Sequence, residues 1–249
     1  MKEDLVSIIT PLYNAEDFIA KTIESVRNQT YTNWEMLIVD DCSTDQSAQI
    51  VKQYVERDER IRYIRLNQNV GVAQARNKAI ECANGRYLAF LDSDDLWKQD
   101  KLYCQIAFMK KNSIAFSYTA CSVIDENGKN VGKVRNVPAE VTYQELLKGN
   151  VIPCLTVVLD KEQMMNVRMP EIHHEDYATW LNILKTGITA YGIKDVLAEY
   201  RVRGKSVSAN KLQSVEWTFD IYRKYLGFSF GKSCWLLLNY LLAAVRKRV

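Results

Sequence analysis

Arg86-Tyr87-Leu88-Ala89-Phe90-Leu91-Asp92-Ser93-Asp94-Asp95 decides the fold class. An apolar run of this kind reads as a strand buried on both faces, and it ends in three carboxylates within four residues. Working back toward the N-terminus, the same arrangement repeats. Leu5-Val6-Ser7-Ile8-Ile9 reads as a strand stopped by Pro11, followed by Phe18, Ile19, Ile23 and Val26 at the helical period. Met36-Leu37-Ile38-Val39 is a second strand, ending in Asp40-Asp41, after which Ser43 or Thr44 can cap a helix carrying Ile50, Val51 and Val55. Ile61 to Leu66 gives a third strand and Val72 to Ala83 a third helix. Strands that alternate with helices predict an α/β fold, a mostly parallel sheet with helices on both faces. Ligands of such sheets bind beyond the carboxyl ends of the strands, where the acidic residues of this chain accumulate.

Asp92, Asp94 and Asp95 would repel one another unless a positive group were bound. A hard divalent cation, Mn²⁺ or Mg²⁺, takes oxygen ligands and shares them with substrate phosphates, which makes it the simplest partner. The plain alternative is turn formers or caps for a helix starting near Lys98.

The second half is less regular. Ala120 to Val134 reads as an antiparallel hairpin turning at Glu126-Asn127-Gly128-Lys129, and Val141 to Lys148 and Glu175 to Lys185 as helices. Between them lies a short apolar run, Leu155 to Leu159, and from Lys211 onward the pattern is helical. With 249 residues, 47% hydrophobic and 25% charged, the chain has the composition of a globular domain and not of a disordered or fibrous one. Charge is uneven: Arg201 to Val249 holds ten Lys/Arg against two Asp/Glu, while the body is mildly acidic. Six cysteines without C-x-x-C spacing predict neither a zinc site nor a disulfide framework. An acidic pair stands where a signal peptide needs basic residues, so the expected location is cytoplasmic, in a reducing compartment.

Five segments, Ser7-Ile8-Ile9-Thr10-Pro11-Leu12-Tyr13-Asn14, Val39-Asp40-Asp41-Cys42-Ser43-Thr44-Asp45, Gly71-Val72-Ala73-Gln74-Ala75-Arg76-Asn77, Leu91-Asp92-Ser93-Asp94-Asp95 and Glu175-Asp176, stand in that order. In order and spacing the set resembles the family 2 inverting glycosyltransferases of the GT-A fold, nearest to those that build capsular, teichuronic or O-antigen polysaccharides. The resemblance implies a nucleotide-sugar donor, a UDP-sugar first, and a saccharide acceptor carried on a lipid. It divides the chain into a catalytic domain at 1–205, with a nucleotide-binding half (1–100) and an acceptor-binding half (101–205), and a C-terminal helical segment at 206–249.

Carried across residue by residue, the resemblance places Pro11 and Tyr13 beside the nucleoside. It gives Asp41 to the uracil ring and Arg76 to the same pocket. Asp92 and Asp94 match the D-x-D pair, with Asp94 the direct metal ligand and Asp95 a neighbour for sugar hydroxyls or the metal. Asp176 matches the general base and Glu175 the residue that orients it or binds the acceptor. Tyr200-Arg201-Val202-Arg203-Gly204-Lys205-Ser206-Val207-Ser208 matches a Y-R-x-x-x-x-S-x-S segment, from which Arg201, Arg203 or Lys205 would close over the diphosphate. Cys42 stands where the family often has glycine. His173 and His174 are adjacent, a spacing that rarely chelates one ion, and read as acceptor-site or surface residues.

Trp235 to Val245 is eleven mostly apolar residues followed by Arg246-Lys247-Arg248. That length cannot span a bilayer, which needs about 20 residues. It predicts a helix lying at a membrane surface, with packing on the catalytic domain or in a homodimer as the alternative. Nucleic acid is not an expected partner, since the tail lacks a groove-reading motif. Two other functions fit the residues less well. A nucleotidyltransferase would carry a glycine-rich, basic loop after strand one, where this chain has Thr10-Pro11-Leu12-Tyr13-Asn14; a phospho-acceptor signalling module would carry its acidic pair after strand one and not strand two.

Overall fold

The computed structural model describes residues 4–164, 166–204 and 211–246. The apolar runs become strands and the periodic segments helices. In the first half these are β1 (Val6–Leu12), α1 (Ile19–Arg27), β2 (Trp34–Asp40), α2 (Ser47–Val55), β3 (Ile61–Arg65), α3 (Val72–Glu81) and β4 (Tyr87–Phe90). Every residue of β1, β2 and β4 is buried, as strands covered on both faces require. β1 runs through Pro11 to Leu12 instead of stopping before it. β4 pairs with β1 only as far as Ile9, so the proline sits where β1 keeps a single neighbour, β2.

The chain continues through β5 (Leu96–Trp97), α4 (Lys101–Asn112), β6 (Phe116–Ile124), β7 (Asn130–Arg135), β8 (Glu140–Val141), α5 (Tyr143–Leu146) and β9 (Val158–Asp160). It closes with α6 (Glu175–Lys185), β10 (Ala190–Arg201), α7 (Lys211–Asp220) and α8 (Phe230–Arg246). The helix expected from Val141 to Lys148 is shorter at both ends. Val141 is taken by the sheet opposite Ala190, and Thr142 starts the helix through a capping box with Glu145, whose carboxylate accepts from the Thr142 N–H and Oγ1, both at 2.8 Å. The hairpin forms as expected, closed by Gly128 N–H donating to the Asp125 carbonyl at 3.0 Å.

One sheet runs in the order β3-β2-β1-β4-β9-β6-β10-β5, with β7 on β6 and β8 on β10. Along that path β9 and β5 run against the rest, so the sheet is mostly parallel. Twelve-residue β10 is not foreshadowed in the periodicity, because Gly192 and Lys194-Asp195 interrupt its apolar residues and its pairing with β6 contains register shifts. Alternate residues of the strands feed two cores. Ile9, Leu37, Val39 and Phe90 pack with α3 and α6 on one face, and Ile8, Met36, Ile38 and Ala89 with α1 and α4 on the other.

The C-terminal segment joins the first core. Ile221 and Tyr222, in a π-helical turn after α7, and Leu236 of α8 are buried with Tyr177 and Trp180 of α6. The Tyr222 hydroxyl donates to the Leu147 carbonyl at 2.7 Å and lies 2.9 Å from the Tyr177 hydroxyl. The opposite side of α8 presents Phe230, Trp235, Leu238 and Leu242 to solvent. Among the described residues no helix is long and apolar enough to cross a membrane.

Candidate active site

Because β1, β2 and β4 are parallel neighbours, the loops that follow them share one edge of the sheet. The loops after β1 and β2 clasp each other: Thr44 N–H donates to Asn14 Oδ1 at 2.8 Å, Ala15 N–H to Ser47 Oγ at 2.8 Å and Glu16 N–H to Asp45 Oδ2 at 3.0 Å. Pro11 at the end of β1 is buried and Tyr13 in the loop after it is exposed. Cys42 adopts a φ of +62°, the left-handed conformation that glycine enters most easily, and donates its thiol to the Leu66 carbonyl. Asp41 is buried, and its two oxygens accept from the N–H groups of Val70 and Gly71 at 2.7 and 2.8 Å, just before α3. Neighbouring Asp40 has a structural task, accepting from Ser43 N–H and the Tyr63 hydroxyl at 2.8 and 2.6 Å.

The acidic turn after β4 is held from three directions. Thr22 Oγ1 lies 3.0 Å from the Ser93 carbonyl and 2.9 Å from that of Asp95. Buried Asp95 accepts the Arg201 N–H at 2.7 Å. The Arg201 guanidinium donates from Nε to the Asp94 carbonyl at 2.6 Å and from Nη1 to the carbonyls of Asp125 and Glu126 at 2.9 and 3.1 Å. Arg201 is thus the last residue of β10, 2% exposed, with Nε and Nη1 bonded to main-chain acceptors and Nη2 buried without a partner, and not part of an open loop. Arg203 is the arginine at the surface, and its Nη2 lies 2.7 Å from Asp94 Oδ2. Lys205 and the serines after it lie outside the described residues.

Burial, then the charge of Asp92, pushes the Asp94 carboxyl above its ordinary range, and burial with Asp94 beside it does the same to Asp95. Among the described residues no three His, Cys, Asp or Glu side chains form a metal cage. An open edge of crowded carboxylates fits instead a cation such as Mg²⁺ or Mn²⁺ that takes one or two protein ligands and completes its shell with phosphate oxygens and water.

Arg76 links this turn to α6. Its side chain, 5% exposed, donates from Nη2 to Asp92 Oδ1 and from Nη1 to Glu175 Oε1, pairing residues 83 positions apart in the chain through one guanidinium. Glu175 and Asp176 occupy the first turn of α6, where the helix dipole favours negative charge. Asp176 Oδ1 accepts the N–H of Tyr177 at 2.7 Å. Its carboxyl is nonetheless pushed up to about 7, by burial first and then by the charge of Glu175, with Arg76 opposing. His174 starts the helix at a φ of +58°, and His173 stacks on Trp217 of α7 with ring centroids 4.0 Å apart. The structure therefore brings Arg76, Asp92 and Glu175 into one ion-paired group with Asp176 next to Glu175 in the first turn of α6, places Asp94, Asp95, Arg201 and Arg203 in the adjoining turn, and leaves Pro11, Tyr13 and Asp41 along the same edge. Trp217 and Thr22 carry no motif, and their contacts are visible only in three dimensions.

The chain matches the family model described as "Glycosyl transferase family 2" over residues 7–181. It belongs to that family. It is 48% identical over 246 residues to TuaG of Bacillus subtilis (strain 168), 98% of each chain, a protein whose name assigns it provisionally to teichuronic acid biosynthesis as a glycosyltransferase. It is 40% identical over 248 residues, 99% of this chain and 96% of the other, to the Escherichia coli enzyme named UDP-Glc:alpha-D-GlcNAc-diphosphoundecaprenol beta-1,3-glucosyltransferase WfgD. The fold agrees with that of S. aureus TarS in complex with UDP-GlcNAc, at a TM-score of 0.72 and 22% identity over 96% of this chain and 72% of that one. It agrees equally with a mannosyltransferase of Pyrobaculum calidifontis in complex with GDP-Man and Mn²⁺, at a TM-score of 0.71 and 18% identity over 94% of this chain and 68% of that one. This glycosyltransferase has the GT-A fold that its motifs led one to expect.

Proposed function

We propose that this glycosyltransferase moves a sugar, with inversion, from a UDP-sugar to a hydroxyl of a lipid-linked saccharide during assembly of a cell-surface polysaccharide. The observation that carries the reading is the Arg76 bridge, which joins the acidic turn at Asp92 to Glu175, the chain neighbour of the raised Asp176 carboxyl. The printed name of WfgD supports a UDP donor and a diphosphoundecaprenol-linked acceptor.

Glycosyl transfer passes through an oxocarbenium-like state while charge grows on the leaving diphosphate. A divalent cation held by Asp94 and Asp92 supplies, when bound, a Lewis acid for that charge. Asp176 takes the proton of the attacking hydroxyl, and a carboxyl that titrates near 7 is matched to that work. Glu175, fixed by Arg76, orients the acceptor, while Asp95, 2% exposed and accepting the Arg201 N–H, shapes the turn from beneath instead of meeting donor hydroxyls. Pro11, Tyr13 and Asp41 border the nucleoside. With Asp176 acting as base on the acceptor hydroxyl, transfer is a single displacement, hence inversion.

Membrane contact falls to α8. Its solvent side carries Phe230, Trp235, Leu238 and Leu242, and Lys232 lies on the same helix. This suits a helix resting in an anionic interface from the cytoplasmic side. The Arg246 side chain, Lys247 and Arg248 lie outside the described residues.

The test is a panel of UDP-, GDP- and dTDP-sugars with Mn²⁺ and a diphosphopolyprenyl-GlcNAc acceptor, following nucleotide release and the anomeric configuration of the product. Release of UDP with inverted product is expected. Formation of a nucleoside triphosphate and a sugar 1-phosphate when pyrophosphate is added in place of the acceptor would identify a nucleotidyltransferase, and a retained configuration would remove the single-displacement role of Asp176.

A further inference from the structure

Two arginines leave the end of β10 toward the acidic turn, and they are held in opposite ways. Arg201 is buried and gives its Nε and Nη1 protons to three carbonyls, so no proton of either reaches a carboxylate oxygen of Asp94. Arg203 has 37% of its side chain exposed, and it pairs with the Asp94 carboxylate itself, which is 16% exposed. Phe18 lies beside both guanidinium groups, its ring centre 5.1 Å from that of Arg201 and 5.3 Å from that of Arg203. The first arginine builds the turn, and the second only neutralises it.

A guanidinium on the carboxylate that would hold a cation competes with that cation, because both draw on the same negative charge and a cation bonded to Asp94 would face the positive Arg203, whose Nη2 is 2.7 Å from Oδ2. We propose that Arg203 is an exchangeable counter-ion: it holds Asp94 in the ligand-free chain, yields Asp94 to the divalent cation, and turns to the diphosphate that arrives with it. The inference rests on the metal reading of Asp94 given above. Its consequence is reciprocal coupling. The cation alone binds weakly since it must displace Arg203, and a diphosphate strengthens it by giving Arg203 a more highly charged partner. An arginine bonded like Arg201 has no such freedom.

The experiment titrates Mn²⁺ into the full chain and follows the free-ion electron paramagnetic resonance signal, with and without UDP, for the unaltered protein, Arg203→Gln, Asp94→Asn and Arg65→Gln. Exchange predicts that Arg203→Gln binds Mn²⁺ alone about threefold to fivefold tighter, the upper part of the range for losing an ion pair of this exposure, yet binds UDP with Mn²⁺ more weakly. Arg65 ends β3 on the same sheet edge and lies 4.0 Å from Asp40, not against Asp94, so Arg65→Gln should leave Mn²⁺ affinity within about twofold. If Asp94→Asn binds Mn²⁺ as well as the unaltered protein, the metal reading fails. If Asp94→Asn loses Mn²⁺ but Arg203→Gln binds it no tighter, the exchange fails and the metal reading stands. An equal gain in Arg65→Gln also overturns it, because general charge would then account for the effect. The Mn²⁺-alone arm decides the exchange even where UDP is not the nucleotide of the donor.

Discussion

Asp176→Asn separates catalysis from stability in a way that only a strained base would show. The carboxyl sits at about 7 in the folded chain against 3.8 for an ordinary aspartate, because burial and Glu175 disfavour its charge. A folded-state value above the unfolded one means that the folded protein holds its proton longer. Stability is then full below about pH 4 and falls as pH rises toward 7, by about 4 kcal/mol at most for a gap of this size at 1.36 kcal/mol per unit. Asparagine imitates the protonated form and keeps an oxygen for the Tyr177 N–H, so it should escape that loss. The expected outcome is a variant about as stable as the parent near pH 4.5 and several degrees higher in Tm at pH 8, at about 2–4 °C per kcal/mol for a chain of this size. Turnover should fall by about two to four orders of magnitude. Calorimetry at the two pH values and a pH profile of kcat/KM for both proteins make the measurement. The parent's rate should rise with pH through an acidic limb near 7, because only the carboxylate accepts a proton. A variant less stable than the parent at both pH values, or a parent profile flat from pH 5.5 to 8, would refute the assignment of Asp176 as base.

Arg76→Met removes the cation shared by Asp92 and Glu175 and should destabilise the fold by about 3 kcal/mol in urea titration, the lower end for breaking a buried pair; it should also carry the acidic limb of the rate above 7, since Arg76 is the group that lowers Asp176. Trp217→Ala takes away the ring stacked on His173 and should cut kcat by about tenfold with the KM for donor unchanged, the signature of a base displaced by a fraction of an ångström; a change confined to KM would place Trp217 at the donor instead. Changing Trp235, Leu238 and Leu242 together to Gln should leave Tm within a few degrees, because all three face solvent, and should abolish sedimentation with anionic vesicles; undiminished sedimentation would remove α8 as the membrane contact.

The first half of the fold and the identity of the acidic loops are local properties. A run such as Tyr87–Phe90 is short, apolar and closed by polar residues, which favours a buried strand, and the residues that follow it, Asp92 to Asp95, point to their chemistry by type and spacing. The motif order led correctly to the family and the GT-A fold for the same reason. β10 was hidden because its apolar residues are interrupted, and only pairing with β6, some 75 residues earlier, makes it a strand. Arg201 and Arg203 stand two residues apart with the same side chain, and nothing in their sequence distinguishes a clamp bonded to carbonyls from an exposed partner of Asp94. The difference arises because β10 ends beside the β4 turn, so one residue is the last inside the sheet and the other the second beyond it. Arg76 likewise reads as an ordinary helix arginine. It becomes the bridge between Asp92 and Glu175 because sheet order brings α3, β4 and α6 to one edge, and a long-range ion pair of that kind depends on distances in space that no local pattern encodes.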